Sequence, residues 1–152
     1  MLQVRCKNIN LTKSFPEGCS LVDVYKGFAD DLKMPYPVVS AKVNNASQGL
    51  KYRLFHNRDV EFIDARDGSG QRVYVRSLCF VLYKAVSDIF SGSKLFIEHP
   101  LSRGYYCNFK KRGGDPLTDQ DVKRICRRMQ EIIDADMPFR RRPHTMGIPV
   151  FN

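Results

Sequence analysis

Two hydrophobic periodicities meet at Pro16-Glu17-Gly18, and the change between them limits most sharply what this chain can fold into. Before the break, Leu2-Gln3-Val4-Arg5-Cys6 and Leu11-Thr12-Lys13-Ser14-Phe15 alternate apolar and polar residues around a turn-forming Asn8-Ile9-Asn10. That is the period-two signature of a half-buried hairpin over residues 2–15. After it, Ser20 is placed to cap a helix over about residues 21–32. Leu21, Val24, Tyr25 and Phe28 recur at the spacing of one helix face. Pro35 and Pro37 end that helix, and Val38–Val43 reads as a short apolar strand. Asn44-Asn45 and Gln48-Gly49 read as turns, with two more strands expected at Lys51–Phe55 and Val60–Ile63.

The order hairpin, helix, three short strands over residues 1–66 predicts an α+β module of β-grasp (ubiquitin-like) type, one helix crossing a mixed sheet. Three stretches carry a resemblance. Phe15-Pro16-Glu17-Gly18 with Ser20-Leu21, Ala41-Lys42-Val43-Asn44, and Asp59-Val60-Glu61-Phe62-Ile63 resemble the TGS domain. That domain occurs in threonyl-tRNA synthetases, certain GTPases and stringent-response nucleotide synthetases. The resemblance implies an appended module that touches RNA or neighbouring domains and has no catalytic residues of its own.

Asp67-Gly68-Ser69-Gly70 is the best linker candidate, and residues 67–152 form the expected second segment. Val73–Val75 reads as a short strand or the lead into a helix. Leu78, Val81, Leu82, Ala85, Val86 and Ile89 predict an amphipathic helix over about residues 76–90, stopped at Ser91-Gly92. Strands are expected at Lys94–Ile97 and Gly104–Phe109, with residues 98–103 as a loop. A last helix starts at Thr118, with Asp121 in the capping-box position. Its stripe of Val122, Ile125, Cys126, Met129, Ile132 and Ile133 reads as core, and Lys123, Arg124, Arg127 and Arg128 lie off it.

This segment resembles the start of the threonyl-tRNA synthetase editing domain. The matching stretches are Lys94-Leu95 with Ile97-Glu98-His99-Pro100, Gly104-Tyr105-Tyr106-Cys107, and the Thr118–Ile133 pattern. In that family the first helix of the domain opens with H-x-x-x-H, two imidazoles on one helix face that can meet one metal ion or substrate. Here the two positions hold Arg76 and Phe80. A guanidinium cannot shed its charge to act as ligand or base, and a phenyl ring has no lone pair. The family's downstream Cys-x-x-x-His has no counterpart in the 152 residues. The resemblance therefore implies an editing-domain-like α+β segment without editing hydrolysis. Catalytic residues, cofactor and metal are all expected to be absent, since His56, His99 and His144 stand apart from other ligating residues and no phosphate-loop motif occurs.

A second resemblance joins both segments. Met1-Leu2-Gln3-Val4 with Cys6-Lys7-Asn8, Pro35–Asn45, Val75–Val86 and Ile132–Asp136 with Pro138-Phe139 resemble the region ahead of the P-loop domain in certain Bacteroidetes-type nucleoside (uridine) kinases. It implies a regulatory module with a C-terminal kinase domain as partner. Residues 143–152 contain no recognisable start of such a domain.

The formal net charge of +9 is unevenly spread. Through Arg66 there are 10 Lys+Arg against 7 Asp+Glu, and beyond it 15 against 9, in clusters at 110–112, 123–128 and 140–142. Such clusters suit a polyanion, because each cation near a phosphate releases counterions; they equally suit a solvated basic surface. The candidate RNA- or nucleotide-binding residues are Arg76, Phe80, Lys84, His99, Arg103, Tyr105, Tyr106, Lys110, Lys111 and Arg112. Arg and Tyr suit phosphate contact and base stacking; alternatively, Phe80 and the tyrosines only fill the old cleft. The five cysteines are scattered and odd in number, which with no export signal predicts reduced thiols. No apolar run approaches the ~20 residues that span a bilayer. The reading is therefore a cytoplasmic binding or regulatory module with no membrane partner. Its alternative is a threonyl-tRNA synthetase-related fragment that binds or acts on tRNA.

Overall fold

The computed structural model describes residues 1–140. The chain is α+β and divides into two compact units, Met1–Leu78 and Cys79–Asn152.

In the first unit, β1 (Leu2–Cys6) and β2 (Leu11–Phe15) form the expected hairpin, with Leu2 opposite Phe15 and Cys6 opposite Leu11. Helix α1 (Leu21–Gly27) follows, then β3 (Val38–Val43), β4 (Ala46–Gln48) and β5 (Arg58–Asp64). The five-stranded mixed sheet has the order β2-β1-β5-β3-β4. Only the central pair β1–β5 is parallel. Asn8 extends that pair beyond the last residue of β1. Its side-chain amide donates to the Phe62 carbonyl at 2.9 Å and accepts from the Phe62 N–H at 2.8 Å. A residue chosen in sequence as a turn former thus also continues the sheet.

Ser20 and Asp23 close a reciprocal capping box at the start of α1. The regular helix stops at Gly27, five residues before the expected end at Leu32. Glycine is required at that end, since a Cβ on Gly27 would lie 2.5 Å from the Phe15 ring. The chain nevertheless turns on through Phe28, where the Leu32 N–H reaches the Phe28 carbonyl at 2.7 Å. Leu21, Val24, Phe28 and Leu32 are all buried against Val4, Cys6, Ala41, Val43, Val60 and Phe62 of the sheet.

Two strand expectations change. Asn44 and Asn45 both have positive φ, as a two-residue hairpin turn requires, so the chain reverses at once and Ala46–Gln48 pairs with β3. Residues 51–55 form no strand. They run beside the entry to α1, with Gly18 N–H to Leu54 carbonyl at 2.7 Å and Leu54 N–H to Cys19 carbonyl at 2.9 Å. Leu54 is buried there, which explains the apolar pattern without a sheet.

Helix α2 (Gly68–Ile89) begins inside the stretch read as a linker, and the division between units falls within it. Asp67 accepts from the Ser69 N–H at 2.8 Å and from the Ser69 hydroxyl. A Cβ on Gly70 would lie 2.0 Å from the Asp64 carbonyl oxygen, so this glycine permits close approach to the end of β5 instead of supplying slack.

The second unit contains the C-terminal part of α2, the hairpin β6 (Lys94–Leu101) and β7 (Gly104–Lys110), and α3 (Asp119–Asp134). Thr118 and Asp121 form the expected capping box. The core is Val81, Ala85, Val86, Ile125 and Ile132, with Leu82, Ile89, Phe90, Leu95, Phe109 and Met129 packed against it. The α3 stripe is narrower than its sequence predicts, because Val122, Cys126 and Ile133 stay exposed. The expected loop at residues 98–103 is instead the end of β6 and a two-residue turn, Leu101 pairing with Gly104. A bulge between Ile97 and His99 and the free edges of a two-stranded ribbon accommodate Pro100 within the strand. Among the described residues no helix is long and apolar enough to cross a membrane.

Candidate functional site

The register of the β6–β7 hairpin sorts its side chains onto two faces. Leu95 opposite Phe109 faces the core of the second unit, where Phe109 meets Phe90 edge-on with centroids 5.4 Å apart. Residues directly opposite share a face and successive ones alternate. Lys94 with Lys110, Phe96 with Asn108, and His99 with Tyr106 therefore form the outer face. The His99 and Tyr106 rings lie parallel there, 5.3 Å between centroids and 22° between planes. Phe96 is 50% exposed and Tyr106 47%. Tyr105, the neighbour in sequence, belongs to the opposite face across from Pro100. The two tyrosines named together from the sequence thus cannot act as one surface.

The other candidates separate further. Lys111 is an internal group: its ammonium sits 2.6 Å from Asp121 Oδ2 and 3.0 Å from the Pro116 carbonyl, over the Phe90 ring. With Thr118 also donating, Lys111 holds the Asp121 carboxyl well below the usual carboxylate range. Lys84 pairs with Asp88 at 2.6 Å, and Arg128 holds the same carboxylate at 2.8 Å. Burial opposes ionisation of Asp88, but hydrogen bonds from Lys84 and Arg128 outweigh it and lower its pKa. Arg124 stacks over Phe90, on which Lys111 also lies. These cations are engaged by the protein itself. Lys110, Arg103 at the hairpin tip and Arg112 beside Gly92 are exposed.

Arg76 and Phe80 are both exposed residues of α2. The Phe80 ring lies 5.7 Å from that of Phe139. Among the described residues no group of three or more His, Cys, Asp and Glu is placed to hold a metal ion. Burial and the neighbouring Cys79 raise the pKa of the Cys107 thiol, which disfavours the nucleophilic thiolate at neutral pH. Arg141, Arg142 and His144 lie outside the described residues.

Sequence reasoning missed Lys94 and Phe96. Their membership of the outer face depends on which β7 residues stand opposite them, and a pairing register is not written in either strand alone. Their alternation with Leu95 was the available signal.

No protein-family model matches the chain. Its homologues are threonine–tRNA ligases. That of Thermobifida fusca is 36% identical over 108 residues, covering 71% of this chain and 16% of the ligase. That of Maricaulis maris is 30% identical over 129 residues, covering 85% of this chain and 19% of the ligase. That of Natranaerobius thermophilus is 28% identical over 142 residues, covering 93% of this chain and 22% of the ligase. The chain thus spans about a fifth of the length of the curated relatives it matches, and the similarity extends over both units.

Proposed function

We propose that the chain is a non-catalytic tRNA-binding module related to the N-terminal part of threonine–tRNA ligases. It would comprise a TGS-like β-grasp domain at residues 1–66 and an editing-domain-like segment at 67–152. Sheet order β2-β1-β5-β3-β4 with one parallel central pair supports the β-grasp reading of the first part. The observation that carries the functional reading is similarity to the ligases along nearly the whole chain, combined with Arg76 and Phe80 at the histidine positions. That combination favours retained RNA contact over retained hydrolysis. It also favours the synthetase-related reading over a nucleoside-kinase regulatory module.

Arg76, His99, Arg103, Tyr106, Lys110 and Arg112 are the proposed RNA-contacting residues. They are exposed and bring cations and ring faces, the two groups that unpaired nucleic acid selects. Lys84 and Lys111 drop out of that set because carboxylates already hold them. Mischarged tRNA incubated with excess protein tests binding and hydrolysis together. The expected result is a shifted complex in a native gel with deacylation at the uncatalysed rate. Turnover that disappears in Cys79→Ala or Cys107→Ala would overturn the non-catalytic reading. Absence of a complex at low ionic strength would overturn the binding reading.

A further inference from the structure

The outer face of the β6–β7 hairpin combines three features that its role in folding does not require. The first is its apolar rings. Phe96, His99 and Tyr106 lie on the side turned away from Leu95 and Phe109, so they contribute little to the core, yet all three rings are exposed there and the last two stack. The second is a like-charge pair. Lys94 stands directly opposite Lys110 at the open end of the hairpin, and like charges in that position destabilise a strand pair. Neither lysine is among the described ion pairs or hydrogen bonds. The third is composition. The cross-strand pairs on this face contribute Lys, Phe, His, Asn and Tyr but no carboxylate, in a unit where Lys84, Lys111 and Arg128 all have one. Glu98 occupies the bulge between the paired residues.

Stacked rings bordered by uncompensated cations match one ligand chemistry well. Unpaired nucleotides offer a π-face every residue and a phosphate between bases, so rings take the bases and ammonium groups take the backbone. A purely apolar protein partner would satisfy the rings and leave two adjacent ammonium groups desolvated without counter-charge. A duplex would meet the lysines but hide its base faces within the stack. We infer that the outer face of β6–β7, with Phe96, His99 and Tyr106 as stacking platform and Lys94 and Lys110 as phosphate contacts, binds a short run of unpaired RNA. This inference deepens the tRNA-binding reading by naming the part of the RNA that is held and the face that holds it.

The absence of tryptophan makes a direct test available. Tyr106→Trp places the protein's single indole on the platform, and Tyr105→Trp places it on the opposite face of the same strand. Both full-length variants are titrated with hexaadenylate RNA, with a duplex of equal length, and with tRNA. Hexaadenylate is expected to quench the indole at position 106 and leave that at position 105 unaffected. The duplex is expected to quench neither. In a parallel binding assay that uses labelled hexaadenylate, Phe96→Ala is expected to weaken binding roughly tenfold to a hundredfold. Lys94→Gln with Lys110→Gln is expected to reduce the slope of log K against log salt by about 1.4, two single-strand phosphate contacts. Complex formation with tRNA but no quenching at position 106 overturns this inference and leaves the tRNA-binding reading standing. Quenching by hexaadenylate without tRNA binding does the reverse. Sedimentation of the unmodified protein supplies the remaining outcome: self-association that Phe96→Ala abolishes would make this face a protein contact and overturn the RNA assignment.

Discussion

The two units spend their apolar residues differently. In the first, a five-stranded sheet and a short helix enclose fourteen buried core residues, from Leu2 to Phe62, and strand alternation sends polar side chains outward. In the second, the buried apolar cluster has five members among the described residues. Phe96, Leu101, Tyr105, Tyr106, Val122 and Ile133 remain substantially exposed. A two-stranded ribbon on two helices cannot enclose both of its faces, and such a hairpin needs its neighbours for stability. The lesson is that the first unit is organised around an interior and the second around surfaces. The proposed RNA contact is assigned to the second for that reason.

The largest effect is expected in the first unit's core. Phe28 is fully buried and packs on Phe15 with centroids 5.6 Å apart. Phe28→Ala is expected to cost about 3–5 kcal/mol, read by urea unfolding and by faster amide exchange in β1 and β5. Ile132→Ala in the second unit should fall at the lower end of the aliphatic range, about 2 kcal/mol, because a thin core collapses more easily around a lost side chain. Amide exchange in β1 and β5 should then stay unchanged. Equal losses for the two variants would break the contrast between the units.

Next in size is the cap of α3. Thr118→Ala removes a side chain that accepts from the Asp121 N–H at 3.2 Å and donates to its carboxylate at 2.7 Å. A loss of about 1 kcal/mol is expected in thermal unfolding. The same carboxylate sets an acid limit. Asp121 has a lowered pKa in the folded chain, so its contribution is present above the unfolded value of ~3.9 and disappears as pH falls through the folded one. Asp121→Asn should flatten that acid limb while lowering stability at neutral pH. The smallest effect belongs to Lys84→Ala. Its ammonium is on the surface, and Arg128 still holds Asp88, so a change no greater than about 0.5 kcal/mol is expected.

Legibility in the sequence cuts across the two units and follows how local each feature is. The hairpin at residues 2–15, the strand at 38–43 and the caps at Ser20 and Thr118 were readable because each depends on local chemistry: alternation, turn residues and a cap partner three positions on. Residues 51–55 misled because Leu54 is buried by packing against the entry to α1, and burial alone does not distinguish a strand from a covered loop. Gly70 misled because a glycine that admits close packing looks the same as one that loosens a linker. His99-Pro100 was read as a loop since a proline argues against an interior strand, and that argument lapses in a ribbon with two open edges. At the site, Arg76 and Phe80 were legible as replacements. The Lys84–Asp88 pair is also local, one helical turn apart, whereas the engagement of Lys111 by Asp121 and the stacking of His99 on Tyr106 depend on residues brought from other elements.

The central claim is that this chain binds tRNA through exposed cations and rings without hydrolysing it. A filter-binding titration of tRNA across ionic strength tests it most directly. The account predicts that log K falls linearly with log salt concentration and that Lys94→Gln with Lys110→Gln makes the fall less steep. Undetectable binding at low ionic strength, or binding indifferent to salt, would contradict it.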